Sequence, residues 1–145
     1  MNEISSAKRS EMMAAVRSRN TKPELIVRRM LHALGFRFRL HRRDLPGTPD
    51  IVLPKYRTIV QVNGCFWHQH PGCKFAHVPA SRPEYWEPKL HRNVTRDQEN
   101  YEKLTNSGWH VIIVWECELR SPEDVARQLL SRIRPYSSPE FRETS

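Results

Sequence analysis

The chain has 145 residues, 38% of them hydrophobic and 28% charged, with 24 Lys+Arg against 16 Asp+Glu and a net charge of +8. Such a chain suits one globular domain that buries roughly 68–70% of its extended surface, which excludes wholesale disorder and any need for a disulfide scaffold. No run approaches the roughly 18 apolar residues that span a bilayer, and the opening MNEISSAKRS is too polar for a secretory signal, so no membrane partner and an intracellular location are expected.

All of the excess charge is N-terminal: residues 1–43 carry 11 Lys+Arg and 3 Asp+Glu, and the remainder balances. Arg17, Arg19, Arg28, Arg29, Arg37, Arg39, Arg42 and Arg43 offer planar guanidinium forks that match phosphate oxygens. Nucleic acid is the natural partner, although an acidic protein or a merely solvated face would carry the same charge.

Over 5–20, Met12, Met13, Ala15 and Val16 among basic residues predict a short amphipathic helix within a basic arm at 1–20. A second helix begins at Thr21, where Thr21 and Glu24 have capping-box spacing, and carries Ile26, Met30, Ala33 and Leu34 until Gly35 stops it. Phe36, Phe38 and Leu40 alternate with arginines as in a half-buried strand, followed by the rigid loop LPGTP. Asp50–Leu53 and Thr58–Val62, joined by PKYR, predict an antiparallel hairpin of core strands.

From Asn63 to about Pro83 periodicity vanishes while histidine, cysteine and aromatic residues concentrate. Such a segment is either functional or stapled. Beyond it, Val94, Asp97, Tyr101 and Leu104 share a helix face that Gly108 terminates, Trp109–Trp115 is an apolar strand, and Ser121, Pro122 and Asp124 open a final helix. The order predicts a mixed α/β domain over 21–134 around a central sheet, with a flexible tail over 135–145.

Cys65, His70, Cys73 and Cys117 are three thiols and one imidazole, a combination suited to a closed tetrahedral zinc site that would staple the irregular loop to a strand end. Free buried thiols are the plainer alternative, and His68 or His77 could replace His70. Phe66 and Trp67, with Trp86 nearby, could wedge between base pairs or simply pack in the core. Met13 and Val16 offer the same choice on the first helix.

Asp50 at the mouth of a strand, beside the carbonyl of Val62, suits Mg²⁺. Asp97 on an otherwise packed face needs a partner, and His68 is the obvious one; an imidazole held by a carboxylate keeps its other nitrogen for general-base work. Glu24 could reach metal-bound water or only cap its helix. Singly, each carboxylate is equally well read as a cap or a structural ion pair.

With LPGTPD, NGCFWHQHPGC, NVTRD and VWEC in view, the sequence resembles the very-short-patch-repair (Vsr) DNA mismatch endonucleases from about Arg9 to Arg120. The resemblance implies a restriction-endonuclease-like fold, a mixed central sheet flanked by helices, with an added structural zinc. It also implies Mg²⁺-dependent nicking of one strand beside a T:G mismatch left by deaminated 5-methylcytosine, by a monomer acting on double-stranded DNA in the bacterial cytoplasm with the nucleoid. Residue by residue, Asp50 would bind Mg²⁺ with the Val62 carbonyl, His68 would activate water with help from Asp97, and Glu24 would support the hydrated metal. Cys65, His70, Cys73 and Cys117 would hold zinc. Phe66, Trp67 and Trp86 would enter the base stack from one groove, and Met13 and Val16 would approach from the other.

Two departures from the family pattern stand out. Val62 and Asn63 stand where a threonine-histidine pair is frequent, so a carbonyl ligand survives but an imidazole function at Asn63 does not. Pro71 and Gly72 alter the histidine-rich spacing of the loop. The rival readings are a zinc-stapled DNA-binding protein without catalysis, or a Vsr-like nickase for another mismatch or sequence context.

Overall fold

The computed structural model describes residues 20–133. The basic arm with Met13 and Val16, and the tail from Pro135, lie outside the described residues.

Helix α1 (Lys22–Ala33) starts where expected: the Thr21 hydroxyl accepts the Glu24 backbone N–H at 3.3 Å, and Pro23 occupies its first turn. Gly35, at φ +88°, reverses the chain so that the Phe36 N–H reaches the Leu31 carbonyl. That use of Phe36 shortens the expected strand to β1 (Arg39–Leu40), an edge strand on which Leu40 is exposed rather than inward. Phe36 turns into the core instead and meets Tyr56 edge to face.

β2 (Ile51–Leu53) and β3 (Thr58–Asn63) form the expected antiparallel hairpin, joined by a 3₁₀ turn over Pro54–Tyr56 with Arg57 left-handed. Helix α2 (Pro83–Asn106) follows and is longer than the apolar spacing implied, continuing through Pro88 on its exposed side. Its N-terminal half buries only Leu90, so periodicity there is weak. β4 (His110–Trp115) pairs parallel with β3, and α3 (Pro122–Ile133) closes the described chain. The sheet order is β1-β2-β3-β4, a mixed sheet with helices on both faces.

Strand alternation assigns the faces. Ile51, Leu53, Val60, Val62, Ile112 and Val114 look one way and meet Val27 and Leu31 of α1 and Val125, Leu129 and Ile133 of α3. Val52 and Ile59 look the other way, toward Leu104 of α2 and Trp109. Gly47, at φ +77°, lets the LPGTP loop approach α2 so closely that an added Cβ would fall 2.7 Å from Asn100 Nδ2.

Leu129 is 1% exposed inside the larger cluster. Leu129→Ala should cost about 2–5 kcal/mol, read as a lowered denaturation midpoint; a loss below about 1 kcal/mol would contradict this packing.

Candidate active site and metal-ligand cluster

Because β3 and β4 are parallel and β2 is antiparallel to β3, the C-terminal ends of β3 and β4 and the N-terminal end of β2 share one edge of the sheet. Asp50 enters β2 there. Its N–H donates to Gln61 Oε1 at 2.7 Å, and its Oδ2 accepts the Val62 N–H at 3.0 Å, so the carboxylate lies against the β3 residue whose carbonyl was expected beside it. Burial pushes the Asp50 carboxyl up to about 7; the Val62 N–H opposes this, the neighbouring Glu24 charge adds to it, and His68 opposes it.

Glu24 projects from the first turn of α1 and is 1% exposed. Its carboxylate does not return to cap the helix. It takes the Arg28 guanidinium one turn on, and lies 3.0 Å from His41 Nε2. Ligand atoms of Glu24, His41 and Asp50 lie within 4.8 Å of one another, a group with the oxygen and nitrogen donors that a divalent cation takes.

His68, just past β3, meets Asp97 of α2 with Nδ1 2.6 Å from Oδ2. A carboxylate oxygen accepts, so Nδ1 is the donor in this contact and Nε2 lies outside it. Asp50 takes the Val62 N–H, the next β3 residue, Asn63, bonds Tyr101 one turn from Asp97 on α2, and Asp97 holds His68, so the imidazole and the aspartate belong to the same end of the sheet. Asn63, 2% exposed, donates from Nδ2 to the Tyr101 hydroxyl at 2.9 Å, while its buried Oδ1 has no hydrogen-bond partner among the described residues. Burial lifts the Tyr101 phenol to about 12, opposed by Asn63 and reinforced by Asp97 and Asp50.

A second cluster forms where the irregular loop meets the end of β4. The ligand atoms of Cys65, His70, Cys73 and Cys117 lie within 4.8 Å of one another, with His70 Nδ1 3.8 Å from Cys65 Sγ and 3.4 Å from Cys117 Sγ. Of the alternatives, His70 is the imidazole that joins the thiols. The His70 ring stacks on Trp115 at 4.2 Å and 11°. Burial raises the Cys65 thiol to about 12, whereas Cys73, despite desolvation, falls below the usual thiol range through the Phe75 N–H and the other two thiols. Three unbridged thiols around one imidazole form a donor set for a soft or borderline metal ion.

Phe66, Trp67 and Trp86 gather into one group of half-buried rings, with centroids 5.0, 5.3 and 6.0 Å apart. None belongs to either apolar core cluster. Lys89 lies 5.8 Å from the Trp67 ring centroid, and the buried Trp67 Nε1 has no hydrogen-bond partner among the described residues.

Sequence reasoning missed Gln61, Tyr101 and His41 as neighbours of Asp50. The polar alternation of Gln61 and Asn63 inside an otherwise apolar strand was a readable signal. His41 was hidden because the long connection between β1 and β2 conceals their register.

Residues 1–74 match the family model described as DNA mismatch endonuclease Vsr. The chain is 53% identical to type II nicking enzyme V.XorIIP of Xanthomonas oryzae pv. oryzae, over 80% of this chain and 85% of that protein. It is 42% identical to type II nicking enzyme V.NmeAIP of Neisseria meningitidis, over 90% and 91%. DNA mismatch endonuclease Vsr of Escherichia coli is 41% identical, over 86% and 80%.

The short His68–Asp97 contact predicts a far-downfield imidazole N–H proton signal by NMR in the cold. Asp97→Ala should abolish it; persistence of the signal would assign that proton elsewhere.

Proposed function

Because the chain belongs to the Vsr DNA mismatch endonuclease family, we propose that it nicks one strand of duplex DNA beside a T:G mispair, with Mg²⁺ at Asp50 and a structural Zn²⁺ on Cys65, His70, Cys73 and Cys117. It is a DNA endonuclease, as its named relatives are, and the mixed sheet is read as the restriction-endonuclease-like core of that family. The observation that supports the reading is that Asp50, hydrogen-bonded to Val62, and the His68–Asp97 pair lie at the same end of the sheet.

On this reading His68 Nε2 takes the proton from the attacking water, and Asp97 holds the ring in the tautomer that permits it. When bound, Mg²⁺ supplies positive charge against the phosphate oxygens. Asp50 and the Val62 carbonyl would hold it, with Glu24, turned inward from α1, beside them. Positioning and charge stabilisation do most of the work in phosphoryl transfer, so the fixed geometry of Asp50 matters as much as its charge.

The half-buried Phe66, Trp67 and Trp86 rings stand as the wedge that opens a weak base pair. Unstacking costs a few kcal/mol per step and is least at a mispair, which supplies selectivity. Met13 and Val16 complete the wedge from the opposite groove. The protein acts as a monomer in the bacterial cytoplasm, at the nucleoid; among the described residues no helix is long and apolar enough to cross a membrane. The 53% identity to a type II nicking enzyme favours a second reading, in which the same chemistry serves a different mismatch or flanking sequence.

A panel of end-labelled duplexes, one per mismatch, incubated with the protein and Mg²⁺ should show a single nick beside T:G. A nick only at another mispair would select the second reading, and binding without strand breaks on every duplex would overturn both. His68→Ala should slow nicking by about 10²–10⁴-fold, and Asp50→Asn should reduce it to background, both retaining mismatch affinity.

Elemental analysis should find about one zinc per chain. Cys117→Ser should lower that content together with the melting temperature; a metal-free, equally stable protein would contradict the zinc assignment.

A further inference from the structure

Three groups meet where β1 runs out beside the start of β2. The β1–β2 ladder pairs Leu40 with Ile51, and the next residue, His41, donates its backbone N–H to the Asp50 carbonyl at 3.1 Å. His41 is therefore tied to Asp50 through the backbone, in a left-handed conformation at φ +46°. Its side chain is 18% exposed, Nε2 lies 3.0 Å from Glu24 Oε2, and a ring nitrogen lies within 4.8 Å of carboxylate oxygens on both Glu24 and Asp50.

The hydrogen bonding of that imidazole is frustrated. Nε2 lies 3.0 Å from Glu24 Oε2, which can only accept, and 3.5 Å from an Arg28 nitrogen, which can only donate. A protonated Nε2 suits the carboxylate and opposes the guanidinium; an unprotonated Nε2 does the reverse. Charge is unbalanced in the same sense, since two largely buried carboxylates face one guanidinium, and that guanidinium sits on Glu24. A cation between the carboxylates would settle both conflicts. It would balance the second negative charge and accept the Nε2 lone pair, with the ring proton on Nδ1.

We infer that His41 is a protein ligand of the cation held at Asp50, and that its imidazole nitrogen makes this centre favour a borderline divalent ion such as Mn²⁺ over Mg²⁺. This deepens the proposed function and rests on its placement of a divalent cation at Asp50. Mg²⁺ takes oxygen donors and keeps its waters, whereas imidazole suits the first-row transition ions. The nitrogen therefore adds affinity selectively.

The test uses the zinc-loaded full chain and Mn²⁺ alone, followed by electron paramagnetic resonance. Wild-type protein should bind Mn²⁺ with a nitrogen modulation in the pulsed spectrum, and its absence would overturn the inference without any variant. His41→Gln keeps an N–H donor for Glu24 but removes the imidazole. It should lose the modulation, and Mn²⁺ affinity should fall about tenfold while Mg²⁺ affinity changes little. Modulation retained in His41→Gln but lost in His68→Gln would assign the nitrogen to His68 and overturn the inference. Asp50→Asn separates the two readings. If it abolishes Mn²⁺ binding while His41→Gln changes nothing, only the role of His41 falls; if Mn²⁺ binding is indifferent to Asp50→Asn, the cation placement in the proposed function falls with it.

Discussion

Parallel pairing of β3 and β4 is the constraint on which the rest of the structure depends. The ladder runs from Thr58 opposite His110 to Asn63 opposite Trp115, so both strands end at one level. The residues that follow each strand leave along the same edge, and this brings Cys117 to Cys65 and His70 across a wide gap in sequence. The antiparallel hairpin adds Asp50 at that edge, and α2, the crossover between the parallel strands, adds Asp97 and Tyr101. A slip of one residue in β3 would turn Val60 and Val62 out of their core face and separate Asp50 from the Val62 N–H. The apolar pattern that selects the fold thus also selects the site.

The edge pays for its chemistry in solvation. Glu24 and Asn63 are buried polar side chains, Asp50 is largely buried, and Asn63 Oδ1 and Trp67 Nε1 lack partners among the described residues. Each unpaired buried group costs about 1–3 kcal/mol, and groups of this kind concentrate where function outweighs stability. The opposite requirement is met by the α1–α3 face of the sheet, where β2, β3 and β4 pack aliphatic side chains against two helices. A well-filled core on one side tolerates a polar, strained edge on the other.

Much of this was legible in the residues. Thr21 with Glu24, Gly35, the PKYR turn and the apolar run before VWEC marked element boundaries because each is a local signal with a steric or hydrogen-bonding cause. The meeting of Asp97 with His68 followed from a burial argument about a single acid on a packed face. The strand at Phe36 was overextended because helix termination claimed that residue, a competition that alternation alone does not reveal. The first half of α2 escaped notice because Pro88 and its charged neighbours obscure a helix that is exposed on most sides. Register across a long loop is not a local property, and His41 depends on it entirely.

Asn63 shows how one side chain directs the chemistry of this edge. An amide has no titratable proton, and here its N–H is spent on the Tyr101 oxygen. Tyr101, lifted to about 12, remains a phenol at neutral pH, and its oxygen accepts the Asn63 amide N–H. At this edge, proton acceptance near Asp50 therefore falls to imidazole. His41 is engaged with Glu24, whereas His68 has its Nδ1 fixed by Asp97 and its Nε2 outside that bond. The proposed mechanism consequently needs a single base, and the neutral Asn63–Tyr101 hydrogen bond does not compete for the proton.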